Sequence, residues 1–332
     1  MPKVSVIIPC YNQGAYLDEA VDSVLRQTFR DFEIIVINDG STDAATRTLL
    51  KDYARPETRV IHTENQGLAS ARNNGIRAAK GKYILPLDAD DRIGPAYLAE
   101  AVRVLDTAPH VGIVFCEAAF FRAKSGKWDM PDFSLEEMLI DNVIFCSGMF
   151  RRADWDRAGG YDPGMRYGWE DYDFWLTLIG QGRGVYRIPR TLFYYRIAES
   201  SMLRSASRRR KARMFVRLFR KHRTLYRKCV KMWIAKALGK PHGQEKPAGS
   251  GFPHSTQNVF SQSVSEGNVP EMPEHFSDAV RFFRREGGRR SLRKARLWSV
   301  QQDIPVLACL LILVTLLWKR VYYHFLNLLP DC

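Results

Sequence analysis

Apolar runs and helical spacings alternate along the first ninety residues. Val4-Ser5-Val6-Ile7-Ile8 reads as a buried strand and is followed by a loop at Cys10 to Gly14. Tyr16, Leu17, Ala20, Val21, Val24 and Leu25 then recur at the 3.6-residue period of a helix. Phe32 to Ile37 is a second strand, ended by Asn38-Asp39-Gly40, and a short helix spans Asp43 to Asp52. A strand near Val60 to His62, a helix from Leu68 to Ala79 and a strand from Tyr83 to Leu87 continue the rhythm. Apolar strands alternating with helices predict an α/β fold with a mainly parallel sheet covered on both faces. Ligands of such sheets gather at the carboxyl ends of the strands. The polar clusters Tyr11-Asn12, Asn38-Asp39 and Asp88 to Asp91 fall there.

The pattern is mixed from Pro95 to Arg196. It predicts a helix over Ala96 to Leu105, a strand at Val111 to Phe115 and a turn at Lys124-Ser125-Gly126-Lys127. A strand-like run includes Cys146 to Phe150, and a helix from Asp171 to Ile179 and a strand from Gly184 to Ile188 close the domain. The expected division is a catalytic domain at 1–205 and a basic amphipathic helix at 206–238. A flexible linker at 239–275, rich in Pro, Gly, Ser, His and Gln, leads to a basic segment with an apolar tail at 276–332. In the basic helix Phe215, Leu218, Phe219, His222, Tyr226, Val230, Trp233 and Ala237 share one face.

Charge sharpens this division. The net charge is +14, yet fifteen Lys and Arg and no Asp or Glu lie between Ser200 and Gln244, so the rest of the chain is close to neutral. The six cysteines, at 10, 116, 146, 229, 309 and 332, form no CxxC pair. Their scatter fits small hydrophobes in a reducing compartment better than a disulfide framework or a zinc site. Met1-Pro2-Lys3 leads directly into the first strand without a signal peptide, so the expected location is cytoplasmic.

Three carboxylates stand within four residues in Asp88-Ala89-Asp90-Asp91. They repel one another unless a cation sits among them, and Mg²⁺ is commonly held by one or two carboxylates plus substrate phosphates. The alternative is acidic capping of a following helix. Asp39 in Asn38-Asp39-Gly40-Ser41-Thr42-Asp43 can accept from a base N–H, while Asp43 fits a helix cap. Arg72, on the helix after the Gly67 loop, either faces a diphosphate or pairs internally with the acidic cluster.

Taken together, Pro9-x-Tyr11-Asn12, the Asn38 to Asp43 run, Asn65-x-Gly67 through Ala71-Arg72-Asn73-x-Gly75, and Asp88-x-Asp90-Asp91 resemble a family 2 glycosyltransferase of the GT-A fold. The resemblance continues through Gly159-Gly160-Tyr161-Asp162 and Trp169-Glu170-Asp171-Tyr172-Asp173 to about Met202. It implies a mixed, mainly parallel sheet with helices on both faces. It also implies inverting transfer from a nucleotide sugar, a UDP-sugar, assisted by Mg²⁺ or Mn²⁺. By the same resemblance Tyr11 would stack on the base and Asp39 would bind its N–H; Pro9, Asn12, Arg72, Trp169 and Glu170 are the further residues expected to bind nucleotide or substrate. Asp88 would contact ribose or metal, Asp90 would be the main metal ligand, and Asp171 would be the general base. Inversion needs a carboxylate opposite the leaving group to take the acceptor proton. Glu170-Asp171 follows Tyr167 and Trp169, on whose faces a sugar ring can stack. One departure stands out. Ala198 occupies the place where the family often has a metal-assisting His after Tyr-Arg, so the diphosphate would supply more of the ligands.

The basic helix suits an anionic membrane surface, nucleic acid, or packing on the catalytic domain. Nucleic-acid binders pair such charge with a recognisable module and none is visible, so no nucleic-acid partner is expected. Ile304 to Trp318 is a fifteen-residue run without charges, short of the ~20 that a full span requires. Arg289 to Arg296 and Lys319-Arg320 flank it, which keeps the preceding domain on the cytoplasmic side. The expected partners are therefore a nucleotide-sugar donor, a glycan or lipid-linked acceptor, and the inner face of the cell membrane. A catalytically idle domain within a glycan-assembly complex and a nucleotidyltransferase are the alternatives, and the Glu170-Asp171 loop argues against the latter.

Overall fold

Every residue of β1 (Val4–Cys10) is buried, which is why its sequence is a continuous apolar run rather than an alternation. A computed structural model describes residues 1–123, 125–197 and 207–229. Met1–Tyr226 forms one compact unit, the first of two into which the chain divides. The linker and apolar tail expected at 239–275 and 276–332 lie outside the described residues, as does Ala198.

In the first unit β1 is followed by α1 (Gly14–Leu25), β2 (Phe32–Asp39), α2 (Ala44–Lys51), β3 (Thr58–Thr63), α3 (Leu68–Ala78) and β4 (Tyr83–Pro86). Next come β5 (Arg92–Ile93), α4 (Tyr97–Thr107), β6 (Val111–Arg122), β7 (Gly126–Trp128) and α5 (Leu135–Ile140). The unit continues with β8 (Met149–Arg151), α6 (Arg152–Ala158), α7 (Glu170–Gly180), β9 (Gly184–Ile197) and α8 (Arg208–Lys221).

One sheet carries the strand order β3-β2-β1-β4-β8-β6-β9-β5, with β7 paired to β6. β3, β2, β1 and β4 are parallel neighbours. Beyond β4 the short β8 runs antiparallel to both β4 and β6, while β6 and β9 are parallel to each other. The α/β sheet is thus mixed, with its uninterrupted parallel half built from the first ninety residues. Helix α3 lies close on that half. A Cβ on Gly75 would sit 2.4 Å from Ile7 Cγ2, so only glycine permits this approach. The second half is filled by large rings: Phe150 meets Phe174 edge-on at 4.9 Å and Trp175 at 5.8 Å.

Two expectations change. The strand-like run at Cys146 to Phe150 is strand only from Met149, because the preceding residues serve tertiary contacts. The Ser147 carbonyl accepts from the Tyr97 hydroxyl at 2.6 Å, and Cys146 turns toward Asp88. The last strand extends from Gly184 to Ile197, since β6 offers it a parallel partner along its length.

Helix α8 begins at Ser207, whose side chain caps the Arg210 N–H. Its buried row is Met214, Leu218 and His222, whereas Phe219 is 43% exposed. The expected single apolar face is therefore split. The Phe215 and Phe219 rings stand 6.4 Å apart, and Phe219 and Tyr226 5.0 Å apart, along a neighbouring row. Among the described residues no helix is long and apolar enough to cross a membrane.

Candidate active site

The carboxyl ends of β1, β2 and β4 carry the first part of the site, as expected for an open α/β sheet. After β1, Tyr11 is 44% exposed, which leaves its ring face available to a flat ligand. Pro9 is buried as the strand ends. Asn12 adopts φ 56, a conformation Asn tolerates better than most residues. Its Oδ1 accepts from the Thr42 and Asp43 N–H groups at 2.8 and 2.9 Å. Asn12 thereby ties the loop after β1 to the loop after β2. Asp43 caps α2 by accepting from the Thr46 N–H at 2.7 Å.

Asp39, 3% exposed, accepts from the backbone N–H groups of Gln66 and Gly67 at 3.0 and 2.9 Å. It orders the turn into α3, and its Oδ1 also accepts from the Thr63 hydroxyl at 3.5 Å. Oδ2 meets only the Gly67 N–H among the described hydrogen bonds and keeps a lone pair for a further donor. Gly40 is required here: its φ is +65° and a Cβ would lie 2.5 Å from the Asn65 nitrogen.

Arg72 resolves the choice left open by its sequence position. It is 1% exposed and pairs with Asp88 Oδ1 at 2.6 Å through Nη2 and with Glu170 Oε1 through Nη1. It belongs to the acidic cluster and joins the loop after β4 to the start of α7. Burial works against its charge, yet Asp88 and Glu170 outweigh that effect and hold the guanidinium well above its ordinary range. Glu170 is buried and its carboxyl raised by loss of water despite Arg72, and its Oε2 has no hydrogen-bond partner among the described residues. Asn73, next on α3, bonds the Tyr161 backbone through both ends of its amide, at 2.8 and 2.9 Å. This fastens the Gly160-Tyr161 segment to α3.

The acidic loop after β4 is held from β9. Asp91 Oδ1 accepts from the Arg196 N–H at 2.9 Å, and the Asp90 carbonyl accepts from Arg196 Nε at 2.7 Å. The Arg196 guanidinium lies between the rings of Tyr16 and Phe121 at 4.6 and 4.5 Å. Burial, then the neighbouring Asp88 charge, pushes the Asp90 carboxyl up to about 6. Burial, then repulsion from Asp90 and Asp88, raises Asp91 well above the carboxylate range. Asp91 Oδ2 is buried without a hydrogen-bond partner among the described residues. A charge-crowded loop with an orphaned oxygen is one that a divalent cation would relieve, so the residues present fit such an ion. The ligand atoms of Asp88, Asp91 and Cys146 lie within 4.8 Å of one another. Asp90, the main ligand implied by resemblance, stands outside that trio.

Across the Arg72 bridge, Trp169 adopts φ 67 immediately before α7. A left-handed tryptophan carries strain that persists only where its surroundings hold it. Asp171, in the first turn of α7, accepts from Asn142 Nδ2 at 3.2 Å and from the Tyr172 N–H at 2.7 Å. Loss of water, then the adjacent Glu170 charge, pushes its carboxyl up to about 7. That places it where a group can both accept and release a proton near neutrality. Asn142, Cys146 and Arg196 complete the site and were not among its expected members. Asn142 and Cys146 belong to no motif, and only the folding of the segment between α5 and β8 brings them to the carboxylates.

Residues 5–158 match the model described as Glycosyl transferase family 2. The chain carries a family 2 glycosyltransferase domain. EpsJ of Bacillus subtilis (strain 168), an uncharacterized glycosyltransferase, is 48% identical over 222 residues, 61% of this chain and 63% of EpsJ. The chain thus spans less than two thirds of the length of that relative. S. aureus TarS 1-349, solved in complex with UDP-GlcNAc, superposes with TM-score 0.54 at 21% identity, over 65% of this chain and 66% of that one. The mannosyltransferase PcManGT from Pyrobaculum calidifontis, in complex with GDP-Man and Mn²⁺, gives TM-score 0.51 at 24% identity over 66% and 64%. These structural likenesses establish the GT-A fold of the family 2 domain.

Proposed function

We propose that the chain transfers a sugar, with inversion, from a nucleotide sugar to a hydroxyl of a glycan or lipid-linked acceptor. The observation that carries this reading is the Asp88–Arg72–Glu170 bridge, which joins the carboxylates of the donor side to the proton acceptor at Asp171. The solved relatives hold UDP-GlcNAc in one case and GDP-Man with Mn²⁺ in the other. For this chain the preferred donor is a UDP-sugar, with Tyr11 stacking on the base and Asp39 accepting from its N–H.

A divalent cation held by Asp88 and Asp90 would neutralise the negative charge that develops on the departing diphosphate. The other roles belong to the protein. Asp171 takes the proton of the acceptor hydroxyl as that oxygen attacks the anomeric carbon and the bond to the diphosphate oxygen breaks. Asn142 and the Tyr172 N–H orient the Asp171 carboxylate. Trp169 offers an apolar face on which the acceptor ring stacks.

The site of action is the cytoplasmic face of a membrane. Exposed Val216 and Phe219 stand among exposed Arg213 and Arg220 on α8, a combination that suits an anionic lipid surface, where each such cation contributes about 1 kcal/mol. The apolar run Ile304 to Trp318 adds a second attachment.

Asp171→Asn tests the reading. Release of nucleoside diphosphate in the presence of acceptor should fall by at least about 10²-fold, with donor affinity retained. Turnover that survives the substitution would overturn the assignment of Asp171 as base.

A further inference from the structure

Cys146 sits in the segment before β8 and its Sγ donates to Asp88 Oδ2 at 3.3 Å. Arg72 occupies Asp88 Oδ1, and the Arg196 N–H occupies Asp91 Oδ1. The second oxygens are differently placed: Asp88 Oδ2 meets only the thiol among the described hydrogen bonds, and Asp91 Oδ2 is buried with no hydrogen-bond partner among the described residues. Asp91 is 1% exposed, so an oxygen left unsatisfied there is costly unless something else binds it. The three side chains bring one ligand atom each to within 4.8 Å of the others. Zinc bonds of about 2.3 Å to sulfur and 2.0–2.2 Å to oxygen put tetrahedral ligand atoms about 3.5 Å apart. A contraction of about an ångström, within reach of side-chain torsions, closes the trio around an ion and leaves a fourth position open.

We propose that Asp88, Asp91 and Cys146 form a divalent-cation site with a sulfur ligand, which biases this chain toward thiophilic ions such as Zn²⁺, Co²⁺ or Cd²⁺ over Mg²⁺. The inference rests on reading Asp88 as part of the cation site of the donor pocket. Where Mg²⁺ or Mn²⁺ would share Asp88 with Asp90, a softer ion would share it with Asp91 and Cys146. Neither the acidic motif nor the Tyr195-Arg196 strand predicts this ligand role for Cys146. On binding, the thiol proton passes to solvent and the sulfur lone pair goes to the metal. A thiolate selects softer ions, whereas Mg²⁺ prefers oxygen ligands alone.

The test uses the full chain, reduced and stripped of metal, titrated with Co²⁺ or Cd²⁺ alone and followed by thiolate-to-metal charge-transfer absorbance. The wild-type protein should give a band that saturates at one equivalent. Cys146→Ser keeps the size and a hydroxyl donor to Asp88, and it should remove the band. Its Cd²⁺ affinity should fall by at least the roughly tenfold seen on losing a mere outer-shell partner, with Mg²⁺ affinity nearly unchanged. Asp91→Asn keeps an acceptor for the Arg196 N–H and should also lose the band, which decides the matter if Cys146→Ser does not fold. A band that persists in both variants belongs to the other cysteines and overturns the proposal. Because no nucleotide is present, this outcome is separable from the donor reading. A missing band with an intact nucleotide response refutes only the sulfur ligand, and the converse refutes only the donor assignment.

Discussion

Asp171 makes the site sensitive to pH in two opposite ways. With its carboxyl at about 7, the basic form that the proposed proton transfer requires is lost as pH falls through neutrality. kcat/KM should therefore drop about tenfold per pH unit below that value and level off above it. Stability runs the other way. The folded-state pKa lies above the unfolded one, so the group favours the folded state at low pH, and this advantage disappears as pH rises from the carboxylate range to about 7. Asp171→Asn should accordingly stabilise the protein by on the order of 1–3 kcal/mol at pH 8 and have little effect at pH 4. Thermal melting at the two pH values reads this directly. Arg72 presents the contrary case. Arg72→Met leaves Asp88 and Glu170 facing each other without their shared cation, and breaking a buried pair costs about 3–5 kcal/mol. Denaturant unfolding at pH 8 should show that loss, and turnover should fall with it because the bridge positions Glu170 beside Asp171. The motif Ala71-Arg72-Asn73 marked Arg72 as important. Whether it faced a ligand or its own carboxylates depended on burial, which motif spacing does not encode.

At the level of elements, α8 couples to α7. Asp173, 1% exposed at its side chain, lies 2.5 Å from Lys221 Nζ and 2.8 Å from His222 Nε2. Arg217 reaches Asp162 at 2.7 Å, and the Arg210 guanidinium stands 4.6 Å from the centre of the Tyr167 ring. The basic helix thus spends part of its charge on the segment that carries Trp169 and Asp171. A chain ending at residue 205 would leave the Asp173 carboxylate without these partners and expose the surface covered by Leu218. It should be less stable than one ending at Tyr226 by at least about 3 kcal/mol, as measured by urea unfolding of the two. Periodicity predicted the helix and set Leu218 and His222 on one face with Phe215, Phe219 and Tyr226, without separating the buried row from the exposed one. Aromatic side chains at i, i+4 and i+11 look like a core stripe in sequence, yet Met214, Leu218 and His222 are the residues that meet the domain. A helix with apolar residues on two adjacent rows can be docked by either, and only the shape and charge of its partner select one.

For the whole molecule, the binding reading predicts a shift in thermal stability. At about a hundred times its dissociation constant a diphosphate nucleotide stabilises the folded state by about 2.7 kcal/mol. UDP should raise the melting temperature of the full chain, more so with Mn²⁺, and Asp90→Ala should remove the added effect of the metal. GDP producing the larger shift would replace uridine with guanosine as the donor base. No shift with UDP, GDP, CDP or TDP would remove the donor assignment.

The parallel half of the sheet was legible in the sequence because local hydrophobic patterning and loop chemistry specify it. β1, β2 and β4 are largely apolar, buried runs, and their loops carry polar residues at the strand ends where ligands of such sheets bind. The second half was less legible. β8 is three residues long, and β9 extends past its predicted end because β6 lies beside it, a partnership between segments distant in sequence. The chemistry divides in the same way. Sequence alone determined which carboxylates belong together in motifs, since adjacency in the chain enforces their proximity. The tertiary structure decided that Arg72 is an internal bridge, that Asn142 holds Asp171, and that Cys146 stands against Asp88. Each of these contacts joins residues at least sixteen positions apart, and their geometry follows from how the elements pack rather than from any local preference of the chain.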